Sequence, residues 1–489
     1  MAQVKEKELP YINHRRGIIT LSPLLVFFLI YVGSSIAAND FYAMPVALAF
    51  LAASAWAFAV CKPKRFAQRV ERFSAGAAHS NIIMMIWIFI LAGAFAEGAR
   101  YIGSVDAVTH VTINLLPSNM LLPGVFMAAC FLSLSTGTSV GTILALMPIV
   151  SGIISETSYP AGIMVGAVVG GAFFGDNLSF VSDTTIAATR TQGCAMHDKF
   201  KANFSIVLPA ALIVLAIYVL RFESFEHYSF SDIISTILCI FITLLVLPYL
   251  FLTIVALLFL LVANLLIQNS SIPDGRALSD YLLIIPYLIV LLCALRGMNV
   301  IKVLFLGIAS TGVGVLLMQH THLMEWAQLM GKGISNMGEL IIVTLLAAGM
   351  LELIRYNGGL SYIITHLSKR IRGRRSAELN IGLMASFANL CTANNTVAIV
   401  SVGNIARKIA KKYGIPPART AGLLDTFSCF TQALIPYGAQ LLAAADMANI
   451  NAMEIIPHLY YPFAMALSAL IFIRFRFGCD KSSAGTGQS

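Results

Sequence analysis

The sequence predicts an all-α polytopic membrane protein with about 12 transmembrane helices in two inverted repeats, each with a re-entrant hairpin and a broken helix. Three observations carry that prediction. The apolar residues fall in blocks about 20 residues long, polar motifs of the first half recur in the second, and basic residues concentrate in alternate loops.

Of the 489 residues 58% are hydrophobic and 11% charged, where a soluble domain carries roughly 25% charged residues. The mean hydropathy is +0.82. No polar linkers part the apolar blocks, which excludes a string of soluble domains. A net charge of +9 would suggest nucleic acid in a soluble protein, but in a polytopic chain it reports on loops, and no nucleic-acid partner is expected. The eight Cys residues are scattered without a CxxC pair and read as small packing residues, not as a metal or disulfide framework. His320 and His322 read as solvated loop residues. No Gly-Lys-Ser or Gly-Lys-Thr occurs, so neither nucleotide-driven pumping nor a cofactor is expected, and the chain does not read as an enzyme.

Residues 1–17 form a cytoplasmic amino-terminal segment. The run 18–36 follows a basic stretch as a signal peptide would, but it has a counterpart late in the chain and reads as a retained span. The first repeat, 18–231, continues with apolar segments at 44–60, 80–98, 120–155, 161–190 and 203–221. A linking hydrophobic hairpin, 232–279, is expected to cross twice, bending near Pro248. The second repeat, 280–475, holds segments at 280–295, 299–318, 337–354, 380–403, 417–445 and 457–473, and 476–489 is a cytoplasmic tail. Within 120–155 the stretch from Ser133 to Thr142 has eight Ser, Thr or Gly residues in ten. Backbone this irregular is tolerated at membrane depth only where it is buried in protein or lines a cavity.

The repeat rests on three matches in one order. Glu97-x-x-Arg100-Tyr101-x-Gly103 recurs as Glu352-x-x-Arg355-Tyr356-x-Gly358, the stretch 134–139 aligns with 390–395, and Asp176 to Asp183 aligns with Asp425 to Gln432. Loop charge gives the orientation. With a cytoplasmic amino terminus and five crossings plus one hairpin per half, all of the 32 Lys and Arg residues but Arg100, Arg221, Arg276 and Lys332 fall on the cytoplasmic side. An odd number of crossings inverts the second half. The first hairpin then enters from outside and the second from inside.

An ionisable residue in an apolar segment costs about 2.5–3.5 kcal/mol to insert, which makes each a candidate for function. Asp176, Ser179 and Asp183 share one helical stripe about 10 Å long, and Asp425, Ser428 and Gln432 repeat its spacing. Carboxylates, hydroxyls and freed carbonyls suit a hard cation such as sodium. Burial favours the protonated carboxyl, so one site can hold a proton or a metal cation in turn, and that competition suffices for antiport. The polar interruptions are expected to be hairpin tips: Ser135, Thr136, Thr138 and Ser139 in the first half, Thr392, Asn394 and Asn395 in the second. Glu97 with Arg100, and Glu352 with Arg355, read as structural ion pairs, with a gate as the alternative. Gly166, Gly170, Gly171 and Gly175 read as close helix packing.

The run Gly175-Asp176-Asn177-Leu178-Ser179-Phe180-Val181-Ser182-Asp183-Thr184-Thr185, with Ser135 to Ser139 and the late Asp425-Thr426-Phe427, resembles the NhaC family of sodium/proton antiporters over most of the chain. The resemblance implies sodium/proton exchange across the bacterial inner membrane by a multi-pass protein with two re-entrant hairpins. It also implies a cation and proton site at Asp176, Ser179, Ser182, Asp183 and Thr184, with sodium at Asp176 and Asp183. The alternative it implies is exchange of organic acids such as malate and lactate. Sodium ions, protons and the lipid bilayer are the expected partners, with a homo-oligomer left open.

Overall fold

Apolar runs interrupted by Ser, Thr, Gly and Pro fold into helices that stop at those residues. The computed structural model describes residues 14–38, 44–62, 65–115, 118–157, 159–180, 182–220, 283–317, 323–368 and 371–475. The predicted linking hairpin at 232–279, residues 1–13 of the amino-terminal segment, the tail 476–489 and the loop histidines lie outside the described residues, whereas residues 14–17 already belong to the first helix.

The first half runs α1 (His14–Ala38), α2 (Val46–Val60), α3 (Phe66–Ala77), α4 (Ser80–Tyr101), α5 (Ser104–Leu115), α6 (Ser118–Thr136), α7 (Ser139–Glu156), α8 (Ala161–Leu178), α9 (Asp183–Gln192) and α10 (Met196–Leu220). The second runs α11 (Ile285–Leu295), α12 (Val300–Leu317), α13 (Leu323–Asn336), α14 (Gly338–Tyr356), α15 (Gly359–Ser368), α16 (Arg374–Leu390), α17 (Asn395–Lys412), α18 (Pro417–Leu434), α19 (Ala439–Ala448), α20 (Ala452–Ile455), a 3-10 turn (Ile456–His458) and α21 (Tyr460–Phe475). This is an all-α polytopic membrane architecture. Among the described residues five helices are long and apolar enough to cross a membrane, or six if the pair Ala452–His458 and Tyr460–Phe475, bent by 49°, counts as one. The number is below the expected twelve; five further apolar helices of 10–17 residues fall short of that length, and the expected double crossing at 232–279 lies outside the described residues.

Two of those breaks carry the site. The apolar segment at 120–155 folds as α6 and α7 around a tip at Gly137 and Thr138, and 380–403 lies in α16 and α17 around a tip at 391–394. α8 and α18 each begin behind a proline, Pro160 and Pro416, and each ends in extended backbone, at Ser179 and Ile435, before a second short helix resumes. Proline suits a helix start because its missing N–H would have no partner there. α8 is buried on every side from Ile163 to Leu178 except at Phe174, as its nearly continuous apolar sequence requires.

Glycines set how closely these helices approach. A methyl group at Gly171 or Gly175 would collide with backbone atoms of α6, and one at Gly166 with the His458 carbonyl. The glycine spacing in α8 is therefore helix packing.

The halves interlock. α6 packs on α8 and α16 on α18 within each half, whereas α7 packs on α19 and α17 on α9 across them. The amphipathic helices α3 and α13, outside the apolar segments recognised in the sequence, do the same: α3 lies on α14 and α13 on α4. Gly76 of α3 abuts Glu352, and Gly333 of α13 abuts Glu97.

Candidate functional site

At each hairpin tip the chain reverses through a residue in the left-handed region, Gly137 (φ +68°) and Ala393 (φ +45°). The next residue caps the second arm: Thr138 accepts from the Gly141 N–H at 3.4 Å and Asn394 from the Val397 N–H at 3.0 Å. These caps satisfy donors that a helix start leaves free. The next side chains, Ser139 and Asn395, turn inward.

Asp176, 5% exposed, sits in the last turn of α8. Its Oδ2 accepts from Ser139 Oγ at 2.9 Å and its Oδ1 from Ser182 Oγ at 2.6 Å. Ser182 caps α9 and lies 2.8 Å from the Thr184 hydroxyl. Asp183, the first residue of α9, is exposed. Both carboxylates face a cavity of about 110 Å³ whose walls include Ser182, Thr184, Thr138, Ser139, Asn394 and Asn395. Asp176, Ser182, Asp183, Thr184 and parts of both hairpin tips are thus brought together.

A hydrogen-bond chain joins the two halves behind this cavity. Gln440 donates to Ser139 Oγ at 3.1 Å, and Gln432 donates to Gln440 Oε1 at 2.9 Å and to the Ala393 carbonyl at 3.3 Å. Ser139 Oγ in turn donates to Asp176, so the first hairpin's tip touches the broken helices of both halves, while Ala393 of the second tip touches that of its own half. Gln432 Oε1 is buried and accepts no hydrogen bond, leaving one acceptor in the wall of the cavity.

Other residues singled out in the sequence lie apart. The hydroxyls of Ser135, Thr136 and Thr392 turn back to the carbonyls of Phe131, Leu132 and Ala388 at 2.9, 2.9 and 3.0 Å. Ser179 is buried at the end of α8. Asp425 does not line the cavity: its Oδ2 meets Lys199 Nζ at 2.5 Å, with side chains 0% and 1% exposed. Ser428 Oγ donates to the Asp425 carbonyl at 3.0 Å. Glu97 and Arg100 close at 2.8 Å, and Glu352 and Arg355 at 2.9 Å, as ion pairs.

Sequence reasoning missed Lys199, Gln440 and the buried pair Arg419–Glu378, which closes at 2.7 Å. Gln440 left a signal, as a lone amide in an alanine-rich stretch. Lys199 left none, because it stands among the charged residues His197, Asp198 and Lys201 and reads as part of a cytoplasmic loop.

The model of the Na+/H+ antiporter family matches residues 15–222 and 308–478. The Na(+)/H(+) antiporter NhaC of Bacillus subtilis is 23% identical over 419 residues, covering 81% of this chain and 83% of that protein. The arginine/ornithine antiporter ArcD of Halobacterium salinarum is 22% identical over 421 residues, covering 81% and 80%. The malate-2H(+)/Na(+)-lactate antiporter of Bacillus subtilis is 22% identical over 205 residues, covering 41% and 42%.

Proposed function

The chain belongs to the Na+/H+ antiporter family as an NhaC-type, multi-pass secondary transporter of the cell inner membrane, and from that premise we propose that it exchanges sodium for protons at Asp176 and Asp183. One observation carries this reading. The cavity between the hairpin tips is lined by two carboxylates, hydroxyls and amides, and none of the described residues lining it is basic. Such a wall attracts a small cation and repels malate or lactate, which would need a positive partner.

In this reading sodium binds between Asp176 and Asp183 with oxygens from Ser139, Ser182 and Thr184, and protons compete for the same carboxylates. Deprotonation on one side of the membrane admits sodium, and protonation on the other expels it. Asp425 and Ser428 stand outside the exchange site. The cavity reaches Asn81 at the start of α4, the cytoplasmic end under the charge-derived orientation. The interlocked helices support two inverted repeats, the arrangement that places a site at the repeat interface.

Purified protein in liposomes with an internal pH dye tests this. An inward sodium gradient should drive protons out and alkalinise the lumen, while potassium, arginine, malate or lactate should not. A response that requires an organic substrate would move the chain to amino-acid or organic-acid exchange. Dissipation of voltage without a counter-ion would mean a channel.

A further inference from the structure

The bounds of α8 and α18 pair Asp176 with Gln432, each three residues before the residue that ends its helix, and not with Asp425 as the sequence match predicts; Asp425 lies about two turns deeper in α18. Asp176 faces a cavity, and Asp425 faces an ammonium group. Lys199 reaches it from the first turn of α10 and spends all three of its N–H donors in the protein: on Asp425 Oδ2 at 2.5 Å, on the Asn177 carbonyl at 2.5 Å and on Thr185 Oγ1 at 2.8 Å.

The acceptors are informative as a set. A carboxylate, a main-chain carbonyl and a threonine hydroxyl are ligands of a hard monovalent cation. The Asn177 carbonyl belongs to the last turn of α8, where free carbonyls favour positive charge. The set draws on both halves, with Asn177 and Thr185 from the first and Asp425 from the second. Around it the amides also lock: Asn203 donates to Asn177 Oδ1, and Cys429 Sγ lies 3.6 Å from Asp425 Oδ1. Stability alone does not account for such a pair, since apolar side chains of similar volume hold helices together as well as a buried ion pair does.

We propose that Lys199 is a tethered cation that permanently fills a second cation site, built of Asp425, the Asn177 carbonyl and Thr185 between the two halves. Without the ammonium the buried Asp425 would offer a second carboxylate site. With the ammonium in place Asp425 is neutralised, and one sodium binds per chain, at Asp176 and Asp183. The inference rests on the reading of Asp176 as a sodium ligand, and the experiment separates the two.

Binding of radioactive sodium to the purified protein should give one ion per chain. Lys199→Ala vacates a ready oxygen cage and should bind a second sodium, and Lys199→Ala with Asp425→Asn should return to one. Should Lys199→Ala fail to fold, the pair can be removed together: Lys199→Met with Asp425→Leu should still bind one sodium, within about threefold of the parent affinity. Two sodium ions in the parent protein, no second ion in folded Lys199→Ala, or loss of all binding in the double apolar variant would each overturn the proposal. Asp176→Asn in the Lys199→Ala background should keep only the new ion. If Asp176→Asn alone still binds one sodium, the reading of Asp176 fails, while a second ion gained on Lys199→Ala still supports the tethered cation.

Discussion

Gly137 and Ala393 adopt the same left-handed backbone, at φ +68° and +45°, although they lie in different halves of the chain and only one is glycine. The residues that follow agree too, Thr138 at φ −145°, ψ 124° and Asn394 at φ −148°, ψ 115°. One turn geometry thus ends the first arm of each hairpin and aims the next side chain at the cavity. A left-handed conformation costs a non-glycine residue roughly 1–2 kcal/mol. Gly137→Ala should therefore lower the thermal stability of the detergent-solubilised protein, and Ala393→Gly should leave it equal or raise it. Opposite signs would show that the tips are not held in this geometry.

Asp183→Asn keeps the size of the side chain but removes its charge and its titration. Sodium-driven proton movement should fall to the protein-free background, and Asp176→Asn should do the same or shift the pH profile. Normal exchange by Asp183→Asn at matched protein density in liposomes would remove it from the mechanism.

Competition between proton and sodium has a kinetic signature. Acidification should raise the apparent KM for sodium, by up to about tenfold per pH unit, with the maximal rate unchanged, because the two ions exclude each other from one site. A maximal rate that falls while KM stays constant would point to separate sites.

Ser139 and Thr136 both belong to the first hairpin tip, but only Ser139 meets Asp176. A hydrogen bond to a charged group contributes about 1.5–3 kcal/mol, so Ser139→Ala should weaken sodium affinity about tenfold or more. Thr136→Val, whose hydroxyl serves only its own hairpin, should change it less than about threefold. Equal effects in a sodium titration would count against the geometry of the site.

α3 and α13 occupy corresponding places in the two halves, and Ser74 and Ser335 are exposed on them. If the halves are inverted, the two helices lie on opposite faces of the membrane. In a background without other cysteines, Ser74→Cys should react with an impermeant maleimide only from the cytoplasm and Ser335→Cys only from outside. Labelling of both from one side would refute the inversion.

Arg419 meets Glu378 at 2.7 Å and lies 4.4 Å above the Phe472 ring, with both charged side chains buried. Removing one partner strands the other, at a cost of about 3–5 kcal/mol. Glu378→Leu or Arg419→Met should each reduce the monodisperse fraction after heating, and the double variant should recover much of it.

The sequence by itself determined the helices, their breaks and half of the candidate site. Apolar runs, prolines and Ser-Thr-Gly interruptions act within a few turns, so they mark where a helix starts and stops whatever surrounds it. Asp176, Ser182, Asp183 and Thr184 lie within nine consecutive positions, so a single break between two helices gathers them. The tertiary structure decided which charges are buried and what they face. Lys199 stands 226 residues from Asp425 and Gln440 stands 301 from Ser139, separations over which no local pattern reports. A lysine at a helix start has the same local sequence whether it ends in water or against a carboxylate. Only the packing of one half against the other supplies the partner that makes its burial affordable, and this is why the sequence alone placed Asp425 with the exchanging carboxylates while the fold set an ammonium group on it.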